Sequence, residues 1–349
     1  GLDAGGQLYK VNFFEFYRYE DSIKLTTDPA FDQSMFDYYL EVKGNNDHTK
    51  LIEMLDKLND ESQPMEELLQ TCFDPENIAY WMAFQLLTGN ADTQNRNMYL
   101  YSPLNSSTWY LLDWDNDGML RRKEREYLRF TDSESWEWGI SNYWGNVLFR
   151  RCLQTASFRE QLDTAVRELH DFMNPDRIEE MVAHYRTITE QYVWQMPDVM
   201  YLPVTKPQYD AVAAALPEEI EENYQQYPEG YHSPMPFHIG TPTVENGILQ
   251  LGWDASYDFN AEAVSYTVEL ARDYLFRQVL YREENVVLPL AQTTAPGAGQ
   301  YFVRVRATNA SGYTQDAFDY YVIDSGKVYG VKCFYIQPDG TVVEDTYEE

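Results

Sequence analysis

The residues best suited to chemistry lie in the stretch LLDWDNDGMLRRKE, residues 111–124. Its acidic and glycine positions are Asp113, Asp115, Asp117, Gly118 and Glu124. This spacing fits the calcium-loop template D-x-[DN]-x-[DN]-G-x5-E at every required position. Because carboxylate oxygens are ligands that Ca²⁺, Mg²⁺ and Mn²⁺ prefer, the stretch predicts a site for a divalent metal ion.

The residues around this acidic stretch do not suit an EF-hand. TWYLL, residues 108–112, is rich in strand-forming residues, whereas an EF-hand loop is entered from a helix. Three basic residues, at positions 121–123, also directly precede Glu124, which would be the bidentate calcium ligand of an EF-hand. The residues alone therefore leave two alternatives: a calcium loop entered from a strand, or an acidic Mg²⁺ or Mn²⁺ site of another kind.

A second polar motif lies upstream, in ADTQNRNMY, residues 91–99. Asp92 is followed five positions later by Asn97, the spacing D-x4-N of a kinase catalytic loop. In that loop the Asp accepts the proton of the acceptor hydroxyl and the Asn binds a metal ion. The spacing alone favours a capped turn after a helix over a catalytic loop. A predicted helix before it, and a predicted hairpin leading to Asp115, reproduce the kinase order and favour phosphoryl transfer.

Helices and a hairpin are predicted on both sides of these motifs. Asp74 is a good N-cap and Pro75 suits the first helical position. A buried helix should run from there to the stop signal Gly89-Asn90. MYLYS and STWYLL flank PLNS and predict a hairpin that leads into the acidic stretch. A strand is predicted over 7–19, and further helices over 48–60, 65–72, 146–173, 174–196 and 210–224.

The overall charge excludes several classes of partner. The 349 residues carry a formal charge of −31, and the pI is near 4.4. Such a chain repels phosphate backbones and anionic lipid surfaces, so neither nucleic acid nor a membrane surface is an expected partner. If the protein binds a nucleotide, bound cations must offset the repulsion locally. No apolar run approaches the roughly 20 residues of a membrane span.

The cysteines predict neither a zinc site nor a disulfide framework. Cys72, Cys152 and Cys333 are odd in number, far apart and without C-x-x-C spacing. We expect three buried thiols.

The chain changes character at about residue 243, where short strands and turns replace helices. The strand-like segments are ILQLGWDAS, VSYTVELAR, FRQVLYRE, VVLPL and GQYFVRVRATNASGYT, a pattern typical of a β-sandwich. Trp253, Tyr266 and the run from Tyr301 to Gly312 resemble a fibronectin type III domain. The resemblance implies that Tyr301 is the corner tyrosine and that this domain is a structural appendage.

The two polar motifs together resemble a known family. GNADTQNRNMYLY and WYLLDWDNDGM are similar to the motifs that are typical of the spore-coat protein H (CotH) kinases. Members of that family are atypical protein kinases that are secreted or associated with the cell surface. The resemblance implies that Asp92 is the catalytic base. It further implies that Asn97 and Asp115 hold the metal ion with Asp117 in support. The match covers roughly residues 5–200, and LYK at 8–10 looks like the segment between the family's two lobes.

The resemblance implies an α+β protein and a substrate class. The expected architecture is a mainly helical, kinase-like C-lobe with a short hairpin over 1–235, followed by a fibronectin-III-like sandwich over 243–349. The implied cofactors are ATP with Mg²⁺ or Mn²⁺, with Ca²⁺ as the alternative. The implied partner is a Ser/Thr protein acceptor at the cell surface or outside the cell.

Two departures from the family pattern bear on activity. Asp113 stands where the family usually has Pro before W-D. The N-terminal lobe, with its nucleotide-binding Lys and partner Glu, has no room before residue 8, so we expect it to be missing and leave that Lys unassigned. Lys10 and Lys24 are expected to be solvated surface residues. The alternatives to an active kinase are a pseudokinase or adhesion scaffold, and a calcium-stabilised surface protein that uses the DWDNDG loop structurally.

Overall fold

The computed structural model describes residues 2–128, 136–324 and 326–345. These residues form two compact units. The first contains residues 2–128 and 142–227, and the second contains the remainder. The first unit is mainly helical with one small sheet, and the second is mainly antiparallel β-sheet. The chain is therefore α+β, as the sequence predicts, whereas the domain limits 1–235 and 243–349 stay predictions.

Most helices of the first unit follow the predicted pattern, whereas those over 33–39 and 122–128 were not predicted. They are α1 Gln33–Tyr39, α2 Thr49–Asn59, α3 Met65–Thr71, α4 Pro75–Leu87, α5 Arg122–Leu128, α6 Val147–Gln154, α7 Ala156–Phe172, α8 Pro175–Val193 and α9 Lys206–Gln226. The segment predicted as one helix over 146–173 is two helices, because Thr155 adopts an extended conformation between α6 and α7.

The central helix of the first unit is α4, which leads directly to the D-x4-N motif. The Asp74 side chain accepts a hydrogen bond from the Asn77 amide at 3.0 Å, and Pro75 occupies the first turn, as predicted. The helix packs against α7, α9 and a strand of the sheet, so it is buried on most sides. It ends where Gly89 adopts a φ of +60°, a conformation that favours glycine.

The hairpin predicted before the acidic stretch is confirmed, but it belongs to a larger sheet. The strands are β1 Gln7–Val11, β2 Leu40–Val42, β3 Met98–Ser102 and β4 Tyr110–Asp113, antiparallel throughout in the order β2-β1-β3-β4. The strand predicted over 7–19 ends at Val11, because Phe13, Phe16 and Tyr19 have φ values of +38°, +61° and +40°, which do not occur in a regular strand.

The second unit is an antiparallel sandwich. Its strands are β5 Thr243–Glu245, β6 Ile248–Gly252, β7 Val264–Ala271, β8 Val279–Val286, β9 Leu290–Thr294, β10 Gly299–Asn309, β11 Thr314–Asp316, β12 Tyr320–Ile323, β13 Gly326–Tyr329, β14 Val331–Ile336 and β15 Val342–Glu344. One sheet runs β5-β6-β9 and the other β15-β14-β10-β7-β8 with β11 beside β10, while β12 and β13 form a separate pair. Side chains from both larger sheets share one buried cluster. The Tyr301 hydroxyl donates to the carbonyls of Pro296 and Gly297, as a corner tyrosine would.

Two further predictions concern the cysteines and membrane-spanning segments. Cys72, Cys152 and Cys333 are all free and buried, as predicted. Across the described ranges, no helix combines the length and apolar character needed to cross a membrane.

Candidate functional site

The D-x4-N motif forms a loop between α4 and β3, which we call the catalytic loop (residues 90–97). Both oxygens of the Asp92 carboxylate are engaged within it. Oδ1 accepts from the Arg96 guanidinium at 2.7 Å, and Oδ2 accepts from Asn97 Nδ2 at 2.8 Å. About two-fifths of each charged side chain stays exposed. The structure therefore brings the two predicted residues together and leaves the carboxylate open to a substrate.

Asn97 is held in an uncommon backbone conformation at the start of β3. Its φ is +58°, in the left-handed region that Asn tolerates better than most residues. Its Nδ2 also donates to the Asp92 carbonyl at 3.1 Å. Within the part of the chain that the structure describes, the Asn97 amide oxygen has no hydrogen-bond donor, so it is available to a ligand.

The acidic stretch forms a second loop after β4, which we call the metal loop (residues 114–120). Asp115 is also left-handed, with a φ of +56°, and a 3₁₀ turn follows over Asn116–Gly118. Asp115 and Asp117 are exposed. Neither of these carboxylates has a hydrogen-bond or ion-pair partner among residues 2–128, 136–324 and 326–345. Their lone pairs are therefore free.

Buried amide side chains join the two loops. Asn90 Nδ2 donates to Gln85 Oε1 at 2.9 Å, and both amide groups donate to Asn116 Oδ1 at 3.3 Å. Gln85 is 1% exposed and Asn90 is 2% exposed. The Leu120 amide also donates to the Thr88 carbonyl at 2.8 Å. These contacts fix the metal loop on the catalytic loop.

Gly118 packs closely against the catalytic loop. A Cβ atom at this position would lie 2.6 Å from Asn90 Oδ1 and 3.2 Å from the Asp92 Cβ atom. The glycine is therefore required by its neighbours and not by its backbone conformation. The packing of Gly118 against Asp92 brings the acidic loop beside Asp92.

The donor atoms fit a hard divalent cation. Asn97, Asp115 and Asp117 offer oxygen atoms only, the ligand type of Mg²⁺ and Mn²⁺. Among the described residues no three His, Cys, Asp or Glu side chains are grouped as a metal site. Mg²⁺ suits such an open set, because it usually binds one or two carboxylates and keeps water and phosphate oxygens as its other ligands.

The first and last acids of the calcium-loop template have protein partners instead. Asp113 accepts from Gln85 Nε2 at 2.9 Å, and Glu124 accepts from Arg121 Nε at 2.7 Å inside the first turn of α5. Although Asp113 has exposed surface, the closely packed protein around its carboxyl raises its pKa, and the Gln85 hydrogen bond opposes that shift. The loop is also entered from strand β4 and not from a helix.

The cations near the site differ in their surroundings. Lys10 lies opposite Tyr99 in the sheet, with its Nζ 6.0 Å from the centre of the Trp114 ring. Lys24 donates to the Glu20 carbonyl at 2.6 Å in an exposed position. Arg96, which contacts Asp92, was not predicted from the sequence to be part of the site. Its spacing of four residues from Asp92 was the available signal.

A buried carboxylate on α9 contacts the chain where it leaves the metal loop. Glu219 is 4% exposed, and its Oε1 accepts from the Arg122 amide at 3.1 Å, where α5 begins. Its Oε2 is buried without a hydrogen-bond partner. Burial raises the pKa of this carboxyl above its model-peptide value of 4.5, although Arg122 opposes the shift.

The Glu219→Gln variant should be more stable than the wild type at pH 7 to 8. A carboxyl whose pKa is raised by folding costs stability once it ionises, and the amide avoids that charge while keeping an oxygen for the Arg122 amide. The gain in Tm should shrink as the pH falls towards the usual pKa range of a glutamate, because protonation removes the buried charge from the wild-type carboxyl. Thermal unfolding across this pH range measures the effect. Glu218→Gln, an exposed change on the same helix, is the control, and an equal gain in both variants would contradict the explanation.

Helix, catalytic loop, hairpin and acidic loop thus occur in the order of a protein-kinase catalytic region. The family comparison is more specific. The family model described as CotH kinase protein matches residues 1–227, so the chain belongs to the CotH kinase family. Membership implies ATP as the phosphate donor and a protein as the acceptor. The match does not extend to the β-rich unit.

Other comparisons are weaker. No curated protein matches the chain. The twitchin kinase region from C. elegans matches with 15% identity over 27% of this chain and 20% of that one, at a TM-score of 0.21. The surface layer protein SbsC, domains 1–6, matches with 11% identity over 90% of this chain and 42% of that one, at a TM-score of 0.15. The chain spans about a fifth of the twitchin region, and at these scores neither structure carries an argument.

Proposed function

We propose that this chain transfers the γ-phosphate of ATP to Ser or Thr of a surface or extracellular protein, in a reaction that depends on Mg²⁺ or Mn²⁺. One observation carries the proposal: the Asp92–Asn97 pair lies beside a metal loop whose Asp115 and Asp117 carboxylates are exposed and have no hydrogen-bond or ion-pair partner among the residues that the structure describes. The surface or extracellular location and the Ser/Thr acceptor are part of the proposal and are carried over from the resemblance noted in the sequence.

Asp92 is the proposed catalytic base. The hydroxyl oxygen of the acceptor attacks the γ-phosphorus, the bond from that phosphorus to the bridging oxygen of ADP breaks, and Asp92 takes the hydroxyl proton. Each carboxylate oxygen has two lone pairs, so the bonds from Arg96 and Asn97 orient Asp92 without blocking it.

Asn97 and Asp115 would hold the metal ion, with Asp117 in support. The bound cation would neutralise the triphosphate, which a chain of charge −31 otherwise repels. Asn97 and Asp115 are both left-handed, and they lie at the same end of the hairpin, because Asn97 precedes β3, Asp115 follows β4, and Met98 pairs with Asp113. We leave the nucleotide-binding lysine unassigned.

The metal dependence of ATP binding tests this assignment in the intact protein. ATP binding should need Mg²⁺ or Mn²⁺. At a hundredfold excess over Kd it should stabilise the fold by about 2.7 kcal/mol. Ca²⁺ alone should give little rise in Tm, because Asp113 and Glu124 have other partners. Calorimetry and thermal unfolding with each ion are the measurements.

The calcium alternative has a distinct signature. A large rise in Tm that is specific to Ca²⁺, and that both Asp113→Ala and Glu124→Ala abolish, would identify a structural calcium loop and reject the metal assignment made here. Asp113→Asn is the matched control, because its amide oxygen can still accept from Gln85.

A further inference from the structure

Asn223 on α9 contacts both ends of the site, although it lies far from both motifs in the sequence. Its Nδ2 donates to the Leu87 carbonyl at 3.0 Å, and its Oδ1 accepts from the Arg122 guanidinium at 2.8 Å. Leu87 ends α4, just before the catalytic loop, and Arg122 begins α5, just after the metal loop. One side chain, 9% exposed, thus joins the segments that flank the two loops.

The surroundings of Asn223 restrict how it can move. A Cβ atom on Gly89 would lie 2.9 Å from Asn223 Nδ2, so the chain entering the catalytic loop passes directly against this amide. On the other side, three residues of α9 bind Arg122. Glu219 accepts from its backbone amide, and Glu222 and Asn223 accept from its guanidinium. The helix also packs against both α4 and α5. Asn223 therefore lies in a fixed position between two fixed partners.

We propose that Asn223 is a positioning residue for phosphoryl transfer, which sets the placement of the metal loop relative to the catalytic loop through Leu87 and Arg122. The inference rests on the proposed function. Phosphoryl transfer depends mostly on positioning and charge neutralisation, and a misplacement of about 1 Å can cost on the order of 100-fold in rate. The amide suits the role because it donates to one segment and accepts from the other.

Asn223→Ala should lower kcat by about 10- to 100-fold and raise the Mg²⁺ concentration needed for half-maximal rate, while KM for the protein acceptor changes little. Asn223→Asp keeps the acceptor for Arg122 but loses the donor to Leu87, so it should be impaired as well. Val166→Ala, a buried change on α7, is the control for lost stability: it should lower Tm without changing kcat once the protein is folded.

Hydrogen exchange of the backbone amides gives a readout that does not need activity. In Asn223→Ala, amides of the catalytic loop and the Leu120 amide should exchange faster, while those in the middle of α4 and α7 keep their protection. Unchanged loop exchange, or a rise of equal size throughout the protein, would overturn the positioning role. Absence of phosphate transfer in the wild type would overturn the proposed function instead, and the exchange result would still decide the role of Asn223.

Discussion

Asp92→Asn should slow phosphate transfer by about 10²- to 10⁴-fold and leave the affinity for ATP in Mg²⁺ close to that of the wild type. The base accepts a proton in the transition state but does not bind the nucleotide, so its loss affects kcat far more than binding. In this variant the amide oxygen can still accept from Arg96, but the amide nitrogen cannot accept from Asn97, so Asp92→Ala is measured beside it as a second variant that places no donor against Asn97. Transfer of labelled phosphate to a Ser/Thr acceptor and calorimetric titration of ATP measure the two quantities.

Asp115→Asn is the informative comparison for that variant. Removing a metal ligand should weaken ATP binding and slow transfer together, because the cation is needed in both the ground state and the transition state. Asp113→Asn makes the same charge change two residues away and should have a small effect on each. If Asp92→Asn and Asp115→Asn lost binding equally, Asp92 would have to be a ligand or a structural residue.

The parts of the site that the sequence predicts are those with local signals. The N-cap Asp74, the proline after it and the glycine that ends α4 each act within one helical turn. The hairpin is equally local, because β3 and β4 are joined by a short turn. These elements place the catalytic loop and the metal loop on neighbouring segments, which made their proximity predictable.

The parts that the sequence did not predict depend on distant residues. β1 pairs with β3 some ninety residues later, as in the register of Gln7 with Ser102, and no periodicity within 7–19 indicates that partner. Asn223 contacts Leu87 across 136 positions. In the sandwich, VVLPL reads as a strand but instead contains the turn between β8 and β9. Its apolar residues Val287 and Leu288 are exposed, so composition alone misleads there.

The calcium template shows how a local pattern can fit a motif without forming it. All the required residue types are present, yet Glu124 lies in a helix and accepts from Arg121, three residues before it. The helix that follows the loop brings Arg121 and Glu124 together, and the spacing of the acidic residues in the loop does not reveal this pair. The family resemblance uses only Asp115 and Asp117 of the stretch, and these are the two carboxylates that have no partner within the described part of the chain.

Gly118→Ala should reduce phosphate transfer by roughly 100-fold, although it adds a single methyl group. That methyl would lie 2.6 Å from Asn90 Oδ1, closer than any stable contact allows. Asn90 cannot retreat easily, because it is buried and its amide is bonded to Gln85 and Asn116. The metal loop must therefore move away from Asp92, at a cost in stability of about 1–3 kcal/mol for overpacking.

A double-mutant cycle distinguishes this steric cause from a general effect of the substitution. Asn90→Ala removes the clashing oxygen, so Gly118→Ala should cost less stability in that background than alone, by more than the 0.5 kcal/mol typical of independent sites. Gly252→Ala is the control, because a Cβ there meets nothing nearer than 4.0 Å. Chemical denaturation gives the stabilities, and transfer assays under saturating Mg²⁺ and ATP give the rates. Additive stabilities together with full activity of Gly118→Ala would show that the two loops are not in the contact described here, and the proximity of Asp115 and Asp117 to Asp92 would lose its support.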